Sequence, residues 1–208
     1  MKAIYCAGEQ GRVVLDILRA ASDDEDVVFL DDDPSLHQDS INNVSIVGGR
    51  SKLREFLRSN VQCLVAFGDK PHTRLKLATQ ISSMGFDFFN AIHPSSSISG
   101  SAVFGQGITI NGQSYIGPDV RLGDHVLVDS CVSISHQCSI ERGATVTPGA
   151  TLAGGVTIET DAYVGPSATI IEDTTVEENA VVGAGAVVTE DVSEGTTVVG
   201  IPAEPLDS

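Results

Sequence analysis

The stretch VDSCVSISHQCSI, residues 128–140, sets one imidazole, His136, among small, hydroxylated and β-branched residues. The ordinary pKa of imidazole lies near neutral pH, so this side chain can take a proton from an attacking group as a general base. The other interpretation is a surface histidine without chemistry. The choice depends on where the surrounding elements place the ring.

The residues around His136 belong to a repeat of six. Sixteen successive positions spaced by six are apolar, with no insertion: Ile98, Phe104, Ile110, Ile116, Leu122, Val128, Ile134, Ile140, Val146, Leu152, Ile158, Val164, Ile170, Val176, Val182 and Val188. A second, mostly small class precedes them by two residues, and Gly, Pro, Asn and Asp gather where turns would fall. This pattern predicts a parallel β-helix of hexapeptide repeats, in which stacked coils share one core.

Three polar or reactive residues fall in different classes of this repeat. Cys138 occupies the small inward class, so we expect it to pack in the core rather than act as a nucleophile. His136 follows the inward Ile134 by two residues, and turn residues fill this class elsewhere: Gly112, Pro118, Asp124, Ser130, Pro148, Gly154 and Pro166. We therefore predict that His136 points outward from a corner. His125 falls on a different corner and is interpreted as an ordinary histidine.

Residues 1–92 alternate between strand and helix patterns. The segments KAIYCAG, DVVFLDDD and VQCLVAFGD are predicted strands, and RVVLDILRAA, SKLREFLRS and HTRLKLATQISSMG are predicted helices. The alternation predicts a small parallel, Rossmann-like α/β sheet with ligands at the carboxyl ends of its strands. We divide the chain into an α/β domain (1–92), a β-helix domain (93–190) and a C-terminal tail (191–208).

Charge and composition exclude several partners. The 208 residues carry a formal net charge of −16, so nucleic acid is not an expected partner. The acids are spread along the chain, which favours adaptation to high salt over an acidic surface kept soluble by charge. We find no leader and no apolar run long enough for a membrane, so a cytoplasmic protein is expected. Cys6, Cys63, Cys131 and Cys138 form no CxxC pair and are predicted to be free thiols.

The segments YIGPDVRLGD, YVGPSAT and VVGAGAVV resemble the left-handed β-helix acyltransferases that use acyl-coenzyme A. The order of FLDDD, AIHPSSSIS, SISHQ, LAGGV and VVGIPAEPL is similar to that of the nucleotide-sugar (UDP-4-amino-sugar) N-acetyltransferases and sialic acid O-acetyltransferases. The resemblance implies left-handed coils of three hexapeptides, about five coils here, and a homotrimer with active sites between subunits. It also implies acetyl-coenzyme A as co-substrate.

The same resemblance implies roles for residues at the His136 corner. His136 would be the general base, and the backbone N–H of Gly154, 18 residues onward, would hold the developing oxyanion. Gln137 stands where relatives often have an acid that orients the ring, and Thr145 where they carry a second histidine. The residues implied to contact the acyl donor are Gly155, Gly165, Gly183, Gly200 and Pro202.

The resemblance also implies a nucleotide-sugar site in the α/β domain. The implied contacts are Gly8, Gln10, Gly11, Asp31, Asp32, Gly68 and Asp69. Relatives usually read Gly-x-x-Gly-His-Gly in the first loop, whereas this chain has Cys6, Glu9 and Gln10 at the outer glycine, inner glycine and histidine positions. A negative charge at Glu9 would weaken diphosphate binding unless the side chain points away.

Several functions follow from these patterns. The leading hypothesis is an acetyl-coenzyme A dependent N- or O-acetyltransferase acting on a sugar, in particular a nucleotide-linked amino sugar for surface glycans. The alternatives are acetylation of another small acceptor, such as an amino acid or simple sugar, and a non-catalytic trimeric scaffold. A zinc enzyme of this fold needs three converging histidines, and the repeat offers only His125 and His136, so no metal is expected.

Overall fold

The computed structural model describes residues 1–22, 26–56, 60–68 and 71–206. The N-terminal part holds a parallel sheet of four strands, in the spatial order Val27–Leu30, Lys2–Tyr5, Gln62–Val65 and Asp87–Phe88. Its elements are β1 (Lys2–Tyr5), α1 (Glu9–Ala20), β2 (Val27–Leu30), β3 (Ser40–Ile41), β4 (Val44–Ser45), β5 (Gln62–Val65), α2 (Pro71–Ser82) and β6 (Asp87–Phe88). β3 and β4 form a separate antiparallel pair. The predicted α/β domain with a small parallel sheet is confirmed.

One predicted helix differs in kind. The segment SKLREFLRS was predicted to be an α-helix, but a 3₁₀ helix spans Arg50–Phe56, and residues 57–59 lie outside the described part of the chain. Its amides bond three residues back, as Lys52 does to the carbonyl of Gly49 at 2.9 Å. Leu53 is its one buried residue, so the segment is a short connector tethered at one point rather than an amphipathic helix with a full apolar face.

The remainder is a solenoid with three faces. The first face contains β7 (Ala91–Ile92), β10 (Thr109–Ile110), β13 (Leu127–Val128), β16 (Thr145–Val146), β19 (Tyr163–Val164), β22 (Val181–Val182), β24 (Thr197–Val199) and the antiparallel β25 (Glu204–Pro205). The second face contains β8 (Ser97–Ile98), β11 (Tyr115–Ile116), β14 (Ser133–Ile134), β17 (Thr151–Leu152), β20 (Thr169–Ile170) and β23 (Val187–Val188). The third face contains β9 (Val103–Phe104), β12 (Arg121–Leu122), β15 (Ser139–Ile140), β18 (Thr157–Ile158) and β21 (Thr175–Val176).

The repeat positions predicted to be inward form the solenoid core. Each strand of the second and third faces ends in one of them, and neighbouring strands pair 18 residues apart, as Ile116 does with Ile134 and Ile134 with Leu152. These three side chains are fully buried. The predicted parallel β-helix of hexapeptide repeats is confirmed. It makes about six turns rather than five, because β7 adds one strand before Ile98 and the chain continues beyond β23 to a bridge between Val176 and Val192 and to β24.

Left-handed backbone conformation marks most corners of the solenoid. From Gly107 to Gly185 every sixth residue has a positive φ, between 57° and 73°. These residues are Gly107, Gln113, Asp119, His125, Cys131, Gln137, Gly143, Gly149, Gly155, Asp161, Ser167, Asp173, Asn179 and Gly185. A non-glycine residue pays a steric cost there, least for Asn and Asp. The residue types at this repeat position, which includes Gln137, are therefore restricted by the left-handed backbone, whether or not a ligand binds there.

A buried histidine packs at the junction between the α/β domain and the solenoid. His125 is 7% exposed and packs edge-on against Phe88 of β6, with ring centroids 4.5 Å apart. Its Nδ1 has no hydrogen-bond partner in the described part of the chain. Burial lowers the pKa of His125 from 6.5 to about 4; Asp124 opposes this shift, while Arg74 and Arg142 add to it. The ring is therefore neutral in the folded protein at neutral pH.

We expect the folded state to lose stability as the pH falls from about 6.5 to about 4. In that window the unfolded chain binds a proton at His125 that the folded chain does not, and the free energy of unfolding falls by ~3 kcal/mol at most. His125→Asn, which tolerates the left-handed backbone, should remove this component. Urea unfolding of both proteins at pH 7 and pH 4.5 measures it. An equal loss in the two would contradict the assignment.

Candidate functional site

His136 lies at the corner between the second and third faces, between β14 and β15. The buried Ile134 and Cys138 on either side fix the backbone, and the imidazole is exposed, as the repeat predicted. The Sγ of Cys138 donates to the carbonyl of Ala153, 3.1 Å away, and burial raises the pKa of this thiol. Cys138 therefore packs in the core as a neutral thiol.

Gln137 contacts the imidazole of His136. Its Oε1 lies 3.3 Å from the Nδ1 of His136, and the left-handed φ of 59° at Gln137 turns its side chain beside the ring. Because an amide oxygen accepts, this contact favours the tautomer with a proton on Nδ1 and a lone pair on Nε2. This is the tautomer that a general base requires. Gln137 supplies no negative charge to the imidazolium that would form.

Gly154 lies directly beneath the ring in the next coil. A Cβ at this position would lie 2.7 Å from the Nε2 of His136, so any residue other than glycine would clash with the imidazole in this orientation. The amide of Gly155 donates to the carbonyl of His136 at 3.0 Å and locks the two coils together. The N–H of Gly154 itself donates to no group in the described chain. An imidazole and an unused backbone donor therefore lie side by side.

The residues predicted to contact the acyl donor lie on two corners of the solenoid. Gly155 shares the His136 corner, whereas Gly165 and Gly183 stack at the corner between the first and second faces. A Cβ on Gly165 would lie 2.7 Å from the carbonyl carbon of Gly183, so these two coils are closely packed there. Gly200 and Pro202 are exposed just after β24. Within one chain the predicted donor residues thus form two groups on different corners.

The predicted acceptor residues of the first loop meet at the carboxyl edge of the sheet. Gly8 precedes α1, and no side chain caps this helix. Gly11 allows the helix to approach β1, because a Cβ there would lie 2.5 Å from the carbonyl oxygen of Cys6. The side chain of Gln10 lies over Gly68, and its Nε2 is buried without a hydrogen-bond partner in the described chain. Glu9 points into solvent and pairs at 4.0 Å with Arg12.

Asp31 and Asp32 follow β2 and are held by different partners. Asp31 accepts from the amide of Ala7 at 2.8 Å, which ties the end of β2 to the first loop. Asp32 accepts from the hydroxyl of Tyr5 at 2.5 Å and from the backbone and guanidinium of Arg50 at 2.7 and 2.9 Å. Asp69 lies outside the described residues, so its predicted role stays a prediction.

These contacts shift the acid–base properties of the loop. Burial opposes ionisation of Asp32, but hydrogen bonds from Arg50 and Tyr5 outweigh it and lower the pKa of this carboxyl. Burial, and then the bond to Asp32, raises the pKa of Tyr5. Burial, with Asp31 and Asp32 nearby, raises the pKa of Cys6 to about 12, so its thiol stays protonated.

Three residues that make such contacts were not predicted from the sequence: Tyr5, Arg50 and Arg74. Arg74 lies on α2 and is 3% exposed. It shares one helix face with Ala78 and Ile81, both buried, and this spacing of four and three residues could have placed it in the interior. Nothing in the sequence marks Tyr5 and Arg50 as partners of Asp32, because they come from three separate segments.

Within residues 1–22, 26–56, 60–68 and 71–206, no group of three or more His, Cys, Asp or Glu side chains could hold a metal ion. Over the same ranges, no helix has the length and apolar content needed to cross a membrane.

Comparisons with known proteins agree with this geometry. The PglD N-terminal domain model matches residues 3–81, and the bacterial transferase hexapeptide (six repeats) model matches residues 155–190. No curated protein matches the sequence.

Two solved structures are similar over nearly the whole chain. PerB from Caulobacter crescentus, in complex with CoA and GDP-perosamine, is 30% identical with a TM-score of 0.92, covering 99% of this chain and 97% of its own. The acetyltransferase domain of PglB from Neisseria gonorrhoeae, in complex with acetyl coenzyme A, is 30% identical with a TM-score of 0.93, covering 99% and 98%. The hexapeptide repeat and the α/β domain agree with these similarities, and the chain belongs to the PglD-like family of hexapeptide-repeat, acetyl-CoA-dependent acetyltransferases.

Proposed function

We propose that this protein transfers an acetyl group from acetyl-coenzyme A to the amino group of a nucleotide-linked sugar, with His136 as the general base. The observation that carries the proposal is the unused N–H of Gly154 beside the free Nε2 of His136. The acceptor amine attacks the thioester carbonyl, a C–N bond forms, and the amine proton passes to Nε2. The oxyanion is held by Gly154, the C–S bond breaks, and the thiolate leaving group takes the proton from His136.

The first loop supports a nucleotide-linked acceptor. The N-terminal amides of α1 at Gly8 to Gln10 and the unpartnered Nε2 of Gln10 offer donors to a phosphate or sugar oxygen. Glu9 points into solvent and pairs with Arg12, which reduces the electrostatic objection raised by the sequence. PerB was solved with GDP-perosamine, an amino sugar on a nucleoside diphosphate. We therefore favour N-acetylation over O-acetylation.

The donor residues support a site shared between chains. Gly155 and Gly183 lie on different corners of one solenoid, so they can line a single groove only if two solenoids pack side by side. Head-to-tail packing of this kind closes into a ring, in line with the expected homotrimer. The outward residues of the second face suit such packing, since none is charged: Ser97, Tyr115, Ser133, Thr151, Thr169 and Val187.

An acidic surface continues from the His136 corner. Glu172 lies one coil beyond Gly154, and Glu190 lies one coil further. The amide of Asp173 donates to the carbonyl of Gly154 at 3.0 Å. The three carboxylate residues are exposed. A coenzyme A molecule that extends from Gly155 along this corner brings its phosphates towards these carboxylates.

Salt should therefore improve donor binding. Raising the ionic strength from 0.1 to 1 M shortens the screening length from ~10 to ~3 Å, and we expect the KM for acetyl-CoA to fall roughly three- to tenfold. S-acetylpantetheine lacks the phosphates, so its KM serves as the control and should change little. Glu172→Gln with Asp173→Asn should reproduce the effect at low salt. A KM for acetyl-CoA that is independent of salt would contradict this.

The proposed function is tested by thiol release from acetyl-CoA in high salt. The acceptors are UDP- and GDP-linked 4-amino sugars, the corresponding hydroxyl sugars, free sugars and amino acids. Release with a nucleotide-linked amino sugar, and formation of its N-acetyl product by mass spectrometry, is the expected result. Release only with free sugars or amino acids would support acetylation of another small acceptor. The differences from the relatives' loop sequence at Cys6, Glu9 and Gln10 favour this second candidate. Release with none would favour a scaffold.

A further inference from the structure

Arg74 inserts a guanidinium from α2 of the α/β domain into the solenoid. The side chain is 3% exposed, and each of its three nitrogens donates hydrogen bonds. The Nε donates to the carbonyl of His125 at 2.8 Å, and one terminal nitrogen donates to the carbonyl of Phe67 at 2.9 Å. The other donates to the carbonyl of Gly143 at 2.6 Å and the hydroxyl of Thr145 at 2.8 Å.

The three glycine, histidine and phenylalanine carbonyls that accept from Arg74 lie next to the proposed acceptor and catalytic residues. Phe67 lies two residues beyond the end of β5, next to Gly68, over which the side chain of Gln10 lies. Residues 66–68 are called the acceptor loop, because Gly68 is one of the predicted acceptor residues. His125 immediately precedes the coil that carries His136, and Gly143 immediately precedes the coil that carries Gly154. The carbonyls of Phe67, His125 and Gly143 accept no backbone hydrogen bond within the described residues, so Arg74 supplies a partner to each.

Neutral hydrogen-bond acceptors surround the buried, charged guanidinium of Arg74. Burial lowers the pKa of Arg74 to about 10, and Asp161 opposes the shift, so the group stays charged at neutral pH. The acceptors that it touches are neutral carbonyls and a hydroxyl, arranged to suit a planar group with several donors. Gly143 also leaves room for α2, because a Cβ there would lie 2.5 Å from the Cγ of Leu75.

We propose that Arg74 is a positioning residue, which holds the acceptor loop at a fixed distance and angle from the coils that carry His136 and Gly154. The inference rests on the proposed function for its effect on catalysis. If solenoids pack side by side, the same bonds fix the acceptor loop relative to the neighbouring chain's site, because every chain docks its α/β domain identically. A displacement of about 1 Å of a bound reactant can cost ~10²-fold in rate.

The decisive variants are Arg74→Lys and Gly143→Ala, with Lys76→Met as the control. Lysine keeps the charge but cannot reach all of the acceptors. Alanine at 143 strains a backbone with a φ of 73°, and its Cβ would overlap Oδ1 of Asp161 and lie 2.5 Å from the Cγ of Leu75, so it disturbs the docking of α2 while keeping the Arg74 side chain. Lys76 is exposed on the same helix. If Gly143→Ala fails to fold, Arg74→Lys alone still tests the inference below its melting temperature.

We expect both variants to lower kcat/KM for the nucleotide-linked amino sugar about tenfold or more, while the KM for acetyl-CoA changes less than twofold. Hydrogen exchange at residues 64–68 should accelerate in both and not in Lys76→Met. Unchanged acceptor kinetics below the melting temperature, or an equal loss towards donor and acceptor, would overturn the inference. If the unmodified protein acetylates no such sugar, the proposed function fails; unaltered exchange at 64–68 in Arg74→Lys would then overturn this inference independently.

Discussion

Replacing His136 by alanine should lower kcat by ~10²- to 10⁴-fold, the range typical of losing a general base. The exposed ring makes no contact that the core needs, since Ile134 and Cys138 beneath it are buried by the coils themselves. We therefore expect the melting temperature and the KM for acetyl-CoA to change little. Steady-state thiol release with the best acceptor, together with a thermal melt, measures both effects.

Arg142→Ala is the matched control for this prediction. Arg142 occupies the same repeat position at the next corner, two residues after the inward Ile140, and it is also exposed. Its removal should leave kcat within about twofold, as for a surface substitution away from the site. Equal rates for His136→Ala and the unmodified protein would remove His136 from the mechanism and shift the proton transfer to the substrate or solvent.

Gly154→Ala should lower kcat by about 10²-fold, even though it preserves the backbone N–H proposed to hold the oxyanion. The new methyl would lie 2.7 Å from the Nε2 of His136, so the ring must rotate away from its place. Gly100→Ala is the control, because nothing lies within 4 Å of a Cβ there. Steady-state kinetics on both variants gives the comparison.

A double variant separates the two roles at this corner. If Gly154→Ala acts by displacing the ring, then Gly154→Ala combined with His136→Ala should be no slower than His136→Ala alone. Additive losses would mean that the methyl also blocks the oxyanion position. An unchanged rate in Gly154→Ala would show that the imidazole works from another rotamer, and would contradict the geometry proposed for the base.

The hexapeptide repeat made most of the solenoid predictable. A period of six assigns each residue to the core, an outer face or a corner, because every coil repeats the same local geometry. The burial of Ile134 and Cys138 and the outward position of His136 followed from this register alone. The number of turns was less accessible, because Ala91–Ile92 continues the register within the segment that leads out of the α/β domain.

The sequence by itself determined the fold class, the register and the corner on which the candidate base stands. Only the tertiary structure brought Asp32 together with Tyr5 and Arg50, and only it placed the guanidinium of Arg74 against the carbonyls of His125 and Gly143. The physical reason is the range and type of these contacts. A repeat can be recognised from side-chain types at a fixed spacing. The docking of the two domains depends instead on backbone carbonyls from distant segments, and because every residue has a carbonyl, no sequence pattern marks the ones that are used.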